Sequence, residues 1–129
     1  MQKNKLPILL IVDDEPALRL LLTQFFQNQF RIITLDGGHA CLKYLEEKDE
    51  PDVMITDLNM PDMAGIDLIK KIRTTTKWDY LAIVVLSSAE SSKDRIECLR
   101  AGADDFVVKP FNPNELDARI GAIMRRLKR

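Results

Sequence analysis

Five short apolar runs, each followed by a stretch of helical period, alternate along the 129 residues, and this alternation leaves the chain few ways to fold. Antiparallel strands can be joined by a tight turn, whereas parallel ones need a long crossover, usually helical, so the pattern predicts a parallel sheet. The first run, Ile8–Val12, is apolar throughout, as a parallel strand covered on both faces should be. Pro16 suits the first turn of the helix that follows, whose inward face is read as Leu18, Leu21, Leu22 and Phe25. Arg31–Leu35 is the second strand, and Gly37 and Gly38 turn into a second helix with Cys41, Tyr44 and Leu45 on one face. Residues 53–55 begin a third strand that ends at Thr56 or Asp57, and its helix turns Ile69 and Ile72 inward before 71–77 becomes polar. Residues 83–86 are the fourth strand, followed by a helix with a thin stripe of Ile96 and Leu99 that closes near Ala101 and Gly102. The fifth strand is 106–108, and the last helix begins near Asn112 and Pro113 with Leu116, Ile120, Ile123 and Leu127 at helical spacing. Right-handed crossovers and helices on both faces make this a doubly wound, five-stranded parallel α/β sandwich.

A single domain of this length buries enough surface to fold without disulfides. Lys and Arg number 19 against 20 Asp and Glu, and the net charge of -1 gives no electrostatic footing for direct nucleic-acid binding by this domain. Cys41 and Cys98 lie in different helical segments with neither metal-ligand spacing nor a CxxC, so both read as buried free thiols. The N-terminus starts basic, but its apolar run is broken at once by Asp13 and Asp14, which makes it a strand and not a signal peptide or membrane span. The expected location is the cytoplasm, with no membrane partner. Residues 1–129 are read as one domain, either complete or the N-terminal part of a longer protein, and a last helix running to Arg129 without a stop signal favours the second.

In an open parallel sheet the carboxyl ends of the strands share one rim, where ligands and chemistry collect. Asp13 and Asp14 follow the first strand, Asp57 the third, Ser87 the fourth and Lys109 the fifth. Each has an ordinary reading taken alone: an N-cap for Asp14, a turn for Asp57 or Ser87, a solvated cation for Lys109. Such readings would have to hold together at one rim, and a shared site accounts for them more simply. Three neighbouring carboxylates repel, and they either take up a proton or recruit a cation. Oxygen-only ligands favour a hard ion, so Mg²⁺ is expected, with phosphate oxygens completing its shell and Lys109 neutralising the remaining charge. An aspartate can itself be the nucleophile and form an acyl phosphate, and Asp57 is placed for that role, with Ser87 donating to the product.

The motifs Val12-Asp13-Asp14-Glu15, Asp57-Leu58-Asn59-Met60-Pro61 through Gly65, Leu86-Ser87, and Gly102 through Lys109-Pro110-Phe111 together resemble the receiver domain of two-component response regulators, of the chemotaxis-regulator type. The likeness covers practically the whole chain in the right order and spacing. It implies a flavodoxin-like three-layer sandwich of strand order 2-1-3-4-5. It also implies that Asp57 accepts a phosphoryl group from a sensor histidine kinase or histidine phosphotransfer protein, the domain being a signalling switch that acts catalytically only on itself. Mg²⁺ would be held directly by Asp14, Asp57 and the backbone carbonyl of Asn59, with Asp13 acting mainly through water. Lys109 would reach the phosphoryl oxygens, and the bond to Pro110 is expected to be cis. Ser87 and Phe106 would be the switch pair, repacking a face formed by the fourth helix, fifth strand and fifth helix that controls an output domain, a partner or a homodimer. Ser87 stands where threonine is commoner and Phe106 where tyrosine often is, so the expected switching is less sharply two-state.

Other residues are assigned lesser parts. His39 is read as a surface residue, Trp78 and Tyr80 as rings covering an edge, and the basic run from Arg125 to Arg129 as a complement to the helix dipole. Asp104, Asp105, Glu115 and Arg119 resemble charges that pair across receiver dimers, solvated surface being the ordinary alternative. Rival functions are a Mg²⁺-dependent phosphohydrolase working through an aspartyl phosphate, a flavodoxin-like cofactor protein, and a receiver used only for docking. The adjacent acids after the first strand tell against the first two, and the intact Asp14, Asp57 and Lys109 against the third.

Overall fold

The computed structural model describes residues 6–48, 50–88 and 91–127, so Lys128 and Arg129 of the basic terminal run and residues 1–5 of the basic start lie outside the described residues. The elements alternate as β1 (Ile8–Val12), α1 (Pro16–Phe26), β2 (Arg31–Leu35), α2 (Gly38–Glu47), β3 (Val53–Thr56), α3 (Gly65–Arg73), β4 (Ala82–Ser87), α4 (Ser92–Ala101), β5 (Asp105–Val108) and α5 (Pro113–Leu127). A short 3-10 helix, Thr76–Trp78, lies between α3 and β4. The five strands form one sheet in the order β2-β1-β3-β4-β5, and all four pairings are parallel. This is the predicted doubly wound, flavodoxin-like sandwich. No helix among the described residues is long and apolar enough to cross a membrane.

Alternation along each strand divides the core in two. Leu10, Val12, Met54, Ile83 and Val85 face one side, where Cys41, Leu45, Leu68, Ile69, Ile72 and Cys98 of α2, α3 and α4 cover them. Leu9, Ile11, Val53, Ile55 and Val84 face the other, under Leu18, Leu22 and Phe26 of α1 and Leu116, Ile120 and Ile123 of α5. Each fully buried Leu or Ile here contributes about 2 kcal/mol, which is why the three central strands tolerate almost no polar residue before their carboxyl ends. Both cysteines are free and buried, as expected.

Several inward faces differ from the sequence reading. On α1, Leu21 is 49% exposed, and the face turns instead through Leu18, Leu22 and Phe26, with the half-buried Phe25 edge-on to Phe26 at 4.8 Å between ring centroids. On α4 the stripe of Ile96 and Leu99 faces solvent, at 46% and 43% exposure, and Cys98 is the residue packed against the sheet. A spacing of three defines a stripe without saying which way it points, and the small Cys98 and Ala101 let the helix lie close over β5. Leu127, at the end of α5, is likewise exposed. Strands β4 and β5 begin one residue earlier than expected, and β4 runs on to Ser87. Trp78 is buried in the 3-10 helix and joins the α2–α4 side of the core, leaving Tyr80 at the surface.

Candidate functional site

The parallel register brings the ends of the strands together. Val12 pairs with Thr56 and Thr56 with Val85, while Ser87 pairs with Val108. Single backbone bonds then carry the ladder one step past the strands: Asp13 N–H donates to Leu35 O at 3.1 Å, Asp57 N–H to Val12 O at 3.0 Å and Lys109 N–H to Ser87 O at 2.8 Å. The main chains of the acids and the lysine are therefore fixed by the sheet itself.

At this rim Asp13, Asp14 and Asp57 each offer a carboxylate oxygen, and the three oxygens lie within 4.8 Å of one another. Lys109 Nζ lies 3.7 Å from Asp13 Oδ2 and 3.7 Å from Asp57 Oδ1. Asp13 is only 3% exposed, its Oδ1 accepting from Glu15 N–H at 2.8 Å and its carbonyl from Arg19 Nη1 at 2.6 Å. Asp57 Oδ1 accepts from Leu58 N–H at 2.8 Å, and its carbonyl from the Thr56 hydroxyl at 3.0 Å. Asp14 is exposed. Burial pushes the Asp13 carboxyl above its ordinary 3.8, with the negative charges of Asp57 and Asp14 adding to the rise; the Glu15 amide and Lys109 oppose it. Three carboxylates facing one ammonium leave a surplus of negative charge in a partly desolvated place, and every side-chain ligand is an oxygen. That donor set fits a hard divalent cation such as Mg²⁺ and would suit a thiophilic metal poorly.

Ser87 is fully buried at the end of β4. Phe106 lies opposite Val85 on β5, which places it on the same face of the sheet as Ser87, one pleat away. Its ring is 7% exposed and belongs to the core under α4. Asn59 is exposed in the loop 57–64 between β3 and α3, and the Lys109–Pro110 peptide bond is cis. Gly65 closes the same loop, its N–H donating to Leu58 O at 2.7 Å, and a Cβ there would fall 2.9 Å from Leu58 Cα and closer still to the Asp57 carbonyl.

Sequence reasoning did not single out Arg19, Thr56, Asp62 or Arg73. Arg73 donates to the carbonyls of Gly102 at 3.1 Å, Trp78 at 2.7 Å and Leu81 at 2.8 Å, and to the Asp104 carboxylate at 3.2 Å. Asp104 also accepts from Ile83 N–H at 2.8 Å, so its Oδ2 is engaged within the chain. An arginine at the end of an amphipathic helix gives no sequence signal of four partners spread over thirty residues. Asp105 and Glu115 both pair with Arg119 within the chain, at 3.1 and 2.9 Å. His39 is exposed, and its Nδ1 lies 3.0 Å from Asp62 Oδ2.

The arrangement can be compared with known proteins. A family model described as the response regulator receiver domain matches residues 9–121. The transcriptional regulatory protein KdpE of Mycobacterium tuberculosis is 40% identical over 92% of this chain and 51% of its own length. The phosphate regulon transcriptional regulatory protein PhoB of Rhizobium meliloti is 36% identical over 95% of this chain and 54% of its own. Thus the chain spans about half the length of these curated relatives. Among solved structures, the chemotaxis response regulator CheY4 of Vibrio cholerae superimposes with a TM-score of 0.85 at 28% identity, covering 92% of this chain and 99% of that one.

Proposed function

The chain belongs to the response regulator receiver domain family, and from that premise we propose that Asp57 is the phosphoacceptor of a two-component phosphorelay. The observation that carries this is the position of Lys109 Nζ, 3.7 Å from both Asp13 and Asp57 beside three clustered carboxylates. An oxygen of the Asp57 carboxylate attacks the phosphorus of a phosphohistidine on a sensor kinase or phosphotransfer protein. The new bond is O–P, the bond broken is N–P, and the departing imidazole keeps the electron pair and takes a proton. Lys109 offers its ammonium to the transferred oxygens, and the Ser87 hydroxyl donates to the phosphorylated form. Asp13, Asp14, Asp57 and the Asn59 carbonyl would hold Mg²⁺, which when bound supplies charge neutralisation to the phosphoryl oxygens.

In this reading the protein catalyses only its own phosphorylation and dephosphorylation. Neither the relatives nor the solved structure described above is a phosphohydrolase, and that alternative gains no support. Ser87 and Phe106 act as the switch pair. The ring of Phe106 has no hydroxyl to keep it at the surface, and its burial beside Ser87 supports a low cost for the inward position. The exposed Ile96 and Leu99 on α4, with Asp105, Arg119 and Glu115 beside them on β5 and α5, form the face proposed to meet an output domain, a partner or a second copy. Residues 1–129 act as one receiver unit, and the names of the relatives favour transcription as the regulated output.

Intact mass after incubation with acetyl phosphate and Mg²⁺ tests the reading. One added phosphoryl group, absent from Asp57→Asn and from a chelator-treated sample, is the expected result. Failure to add it, together with no response to beryllofluoride, would reduce the domain to a docking module.

A further inference from the structure

The loop 57–64 that leaves the phosphoacceptor rests on the core through Leu58 and Met60 and is fastened by hydrogen bonds at two places. Its base is closed by the bond from Gly65 N–H to Leu58 O. Its tip is fastened to a different element altogether. The Asp62 carboxylate accepts from the backbone N–H of Gly38 at 3.2 Å and of His39 at 3.0 Å, in the first turn of α2, and Oδ2 meets His39 Nδ1 at 3.0 Å. Helix α2 has no capping side chain of its own, since its N-cap position is Gly37. Asp62 thus caps it from far along the chain, placing a negative charge at the positive end of the helix dipole. The Asp62 carboxyl is held below its ordinary 3.8, chiefly by the His39 amide.

The neighbouring residues are shaped to admit this contact. A Cβ on Gly37 would lie 2.7 Å from Asp62 Oδ1, and one on Gly38 2.8 Å from Met63 Sδ. The paired glycines at the start of α2 are therefore a socket for the tip of a loop belonging to β3. Between the two fastenings lies Asn59, whose carbonyl would be a metal ligand under the function proposed above, on which this inference rests.

We propose that Asp62 is a positioning residue for the phosphoryl site: by clamping the β3–α3 loop to the first turn of α2, it holds the Asn59 backbone where a divalent cation can use it. A metal site depends on the groups that fix its ligands almost as much as on the ligands themselves. Without the clamp, residues 59–63 keep the closure at Gly65 and the packing of Met60 and Met63 on the core, and the polar fastening of the loop tip is lost, leaving more of its ordering to the ion.

The test is Mg²⁺ binding to the unphosphorylated chain by titration calorimetry, with the Gly38 and His39 amides followed by nuclear magnetic resonance. Asp62→Ala is expected to weaken Mg²⁺ binding about tenfold and to raise by the same factor the Mg²⁺ needed for half-maximal phosphorylation, the rate at saturating Mg²⁺ being kept. Both amides should exchange faster. Asp62→Asn, with one acceptor oxygen in place of two, should fall between and carries the comparison should the alanine variant not fold. Leu45→Ala, which hollows the buried face of α2 and leaves the clamp intact, should lose thermal stability and bind Mg²⁺ as the unaltered chain does. Equal affinity in Asp62→Ala and the unaltered chain overturns the proposal, as does an equal loss in Leu45→Ala, which would trace the effect to fold stability. Absence of Mg²⁺ binding by the unaltered chain is a separate outcome that removes the proposed metal-dependent phosphoacceptor function and the clamp with it.

Discussion

Arg73 and Asp104 meet at 3.2 Å, side chain to side chain, across the turn that joins α4 to β5. Asp104 holds the Ile83 amide while Arg73 holds the carbonyls of Trp78, Leu81 and Gly102. One ion pair thereby ties the end of α3, the 3-10 helix, the start of β4 and the exit of α4 into a single knot. Arg73→Ala strands several partly buried acceptors and should destabilise the fold by about 2–3 kcal/mol. Urea denaturation of Arg73→Ala, Asp104→Asn and the double variant checks it, and additive losses would show that the pair is not coupled.

Lys109 is held by its backbone to Ser87 and by its side chain to two carboxylates. Under the proposed function its ammonium would face the oxygens of an arriving phosphoryl group. Lys109→Ala is expected to slow labelling of Asp57 by acetyl phosphate about 100-fold, with the fold intact by circular dichroism. Labelling at the unaltered rate would remove the lysine from the reaction.

Asp13 titrates in a direction opposite to that of a stabilising ion pair. Its folded value is raised by burial and by the neighbouring acids, so the folded chain holds this proton more tightly than the unfolded chain does. Stability from this group is therefore fully present below 3.8, falls as pH rises through the folded value, and stays reduced at neutral pH. Asp13→Asn keeps an acceptor for the Glu15 amide and removes the charge. In the absence of Mg²⁺ it should melt at a higher temperature than the unaltered chain at pH 7, and the gap should close near pH 3.

Gly65 has no room for a side chain, because a Cβ would press on the Asp57 carbonyl and on Leu58. Neither neighbour can yield without moving Asp57. Gly65→Ala should cost about 2 kcal/mol in chemical denaturation, and it should also impair labelling of Asp57. A loss of stability with unchanged labelling would mean that the loop absorbs the strain away from the site.

The sheet and the rim could be read from the sequence because both follow from local pattern. Strands such as Ile8–Val12 announce themselves by composition, and once their order is known Asp13, Asp57, Ser87 and Lys109 have nowhere else to sit. Helix orientation was less legible. Ile96 and Leu99 look like an inward stripe, yet Cys98 and Ala101 are the residues whose size suits a close approach to β5. Long-range polar partners left no trace, since Asp62 reaches Gly38 and Arg73 reaches Gly102 by folding, with no periodicity linking them.

Among the described residues, helix α4 is capped by the Ser91 hydroxyl at its amino end and tied to a neighbouring helix at its carboxyl end. Gly102, at φ 125°, ends the helix against the Arg73 side chain, which also holds its carbonyl, while Cys98 is the helix's one fully buried side chain. Were the helix to tilt about this carboxyl-end tie, the pivot would lie at the end of α4 far from the acidic rim. Ten residues give an arm of about 15 Å, so a tilt of about 10° at Gly102 sweeps the opposite tip through roughly 2.5 Å. A tilt too small to disturb the sheet would thus move the first turn of α4 most, and Ile96, midway along the helix, by rather more than half as much.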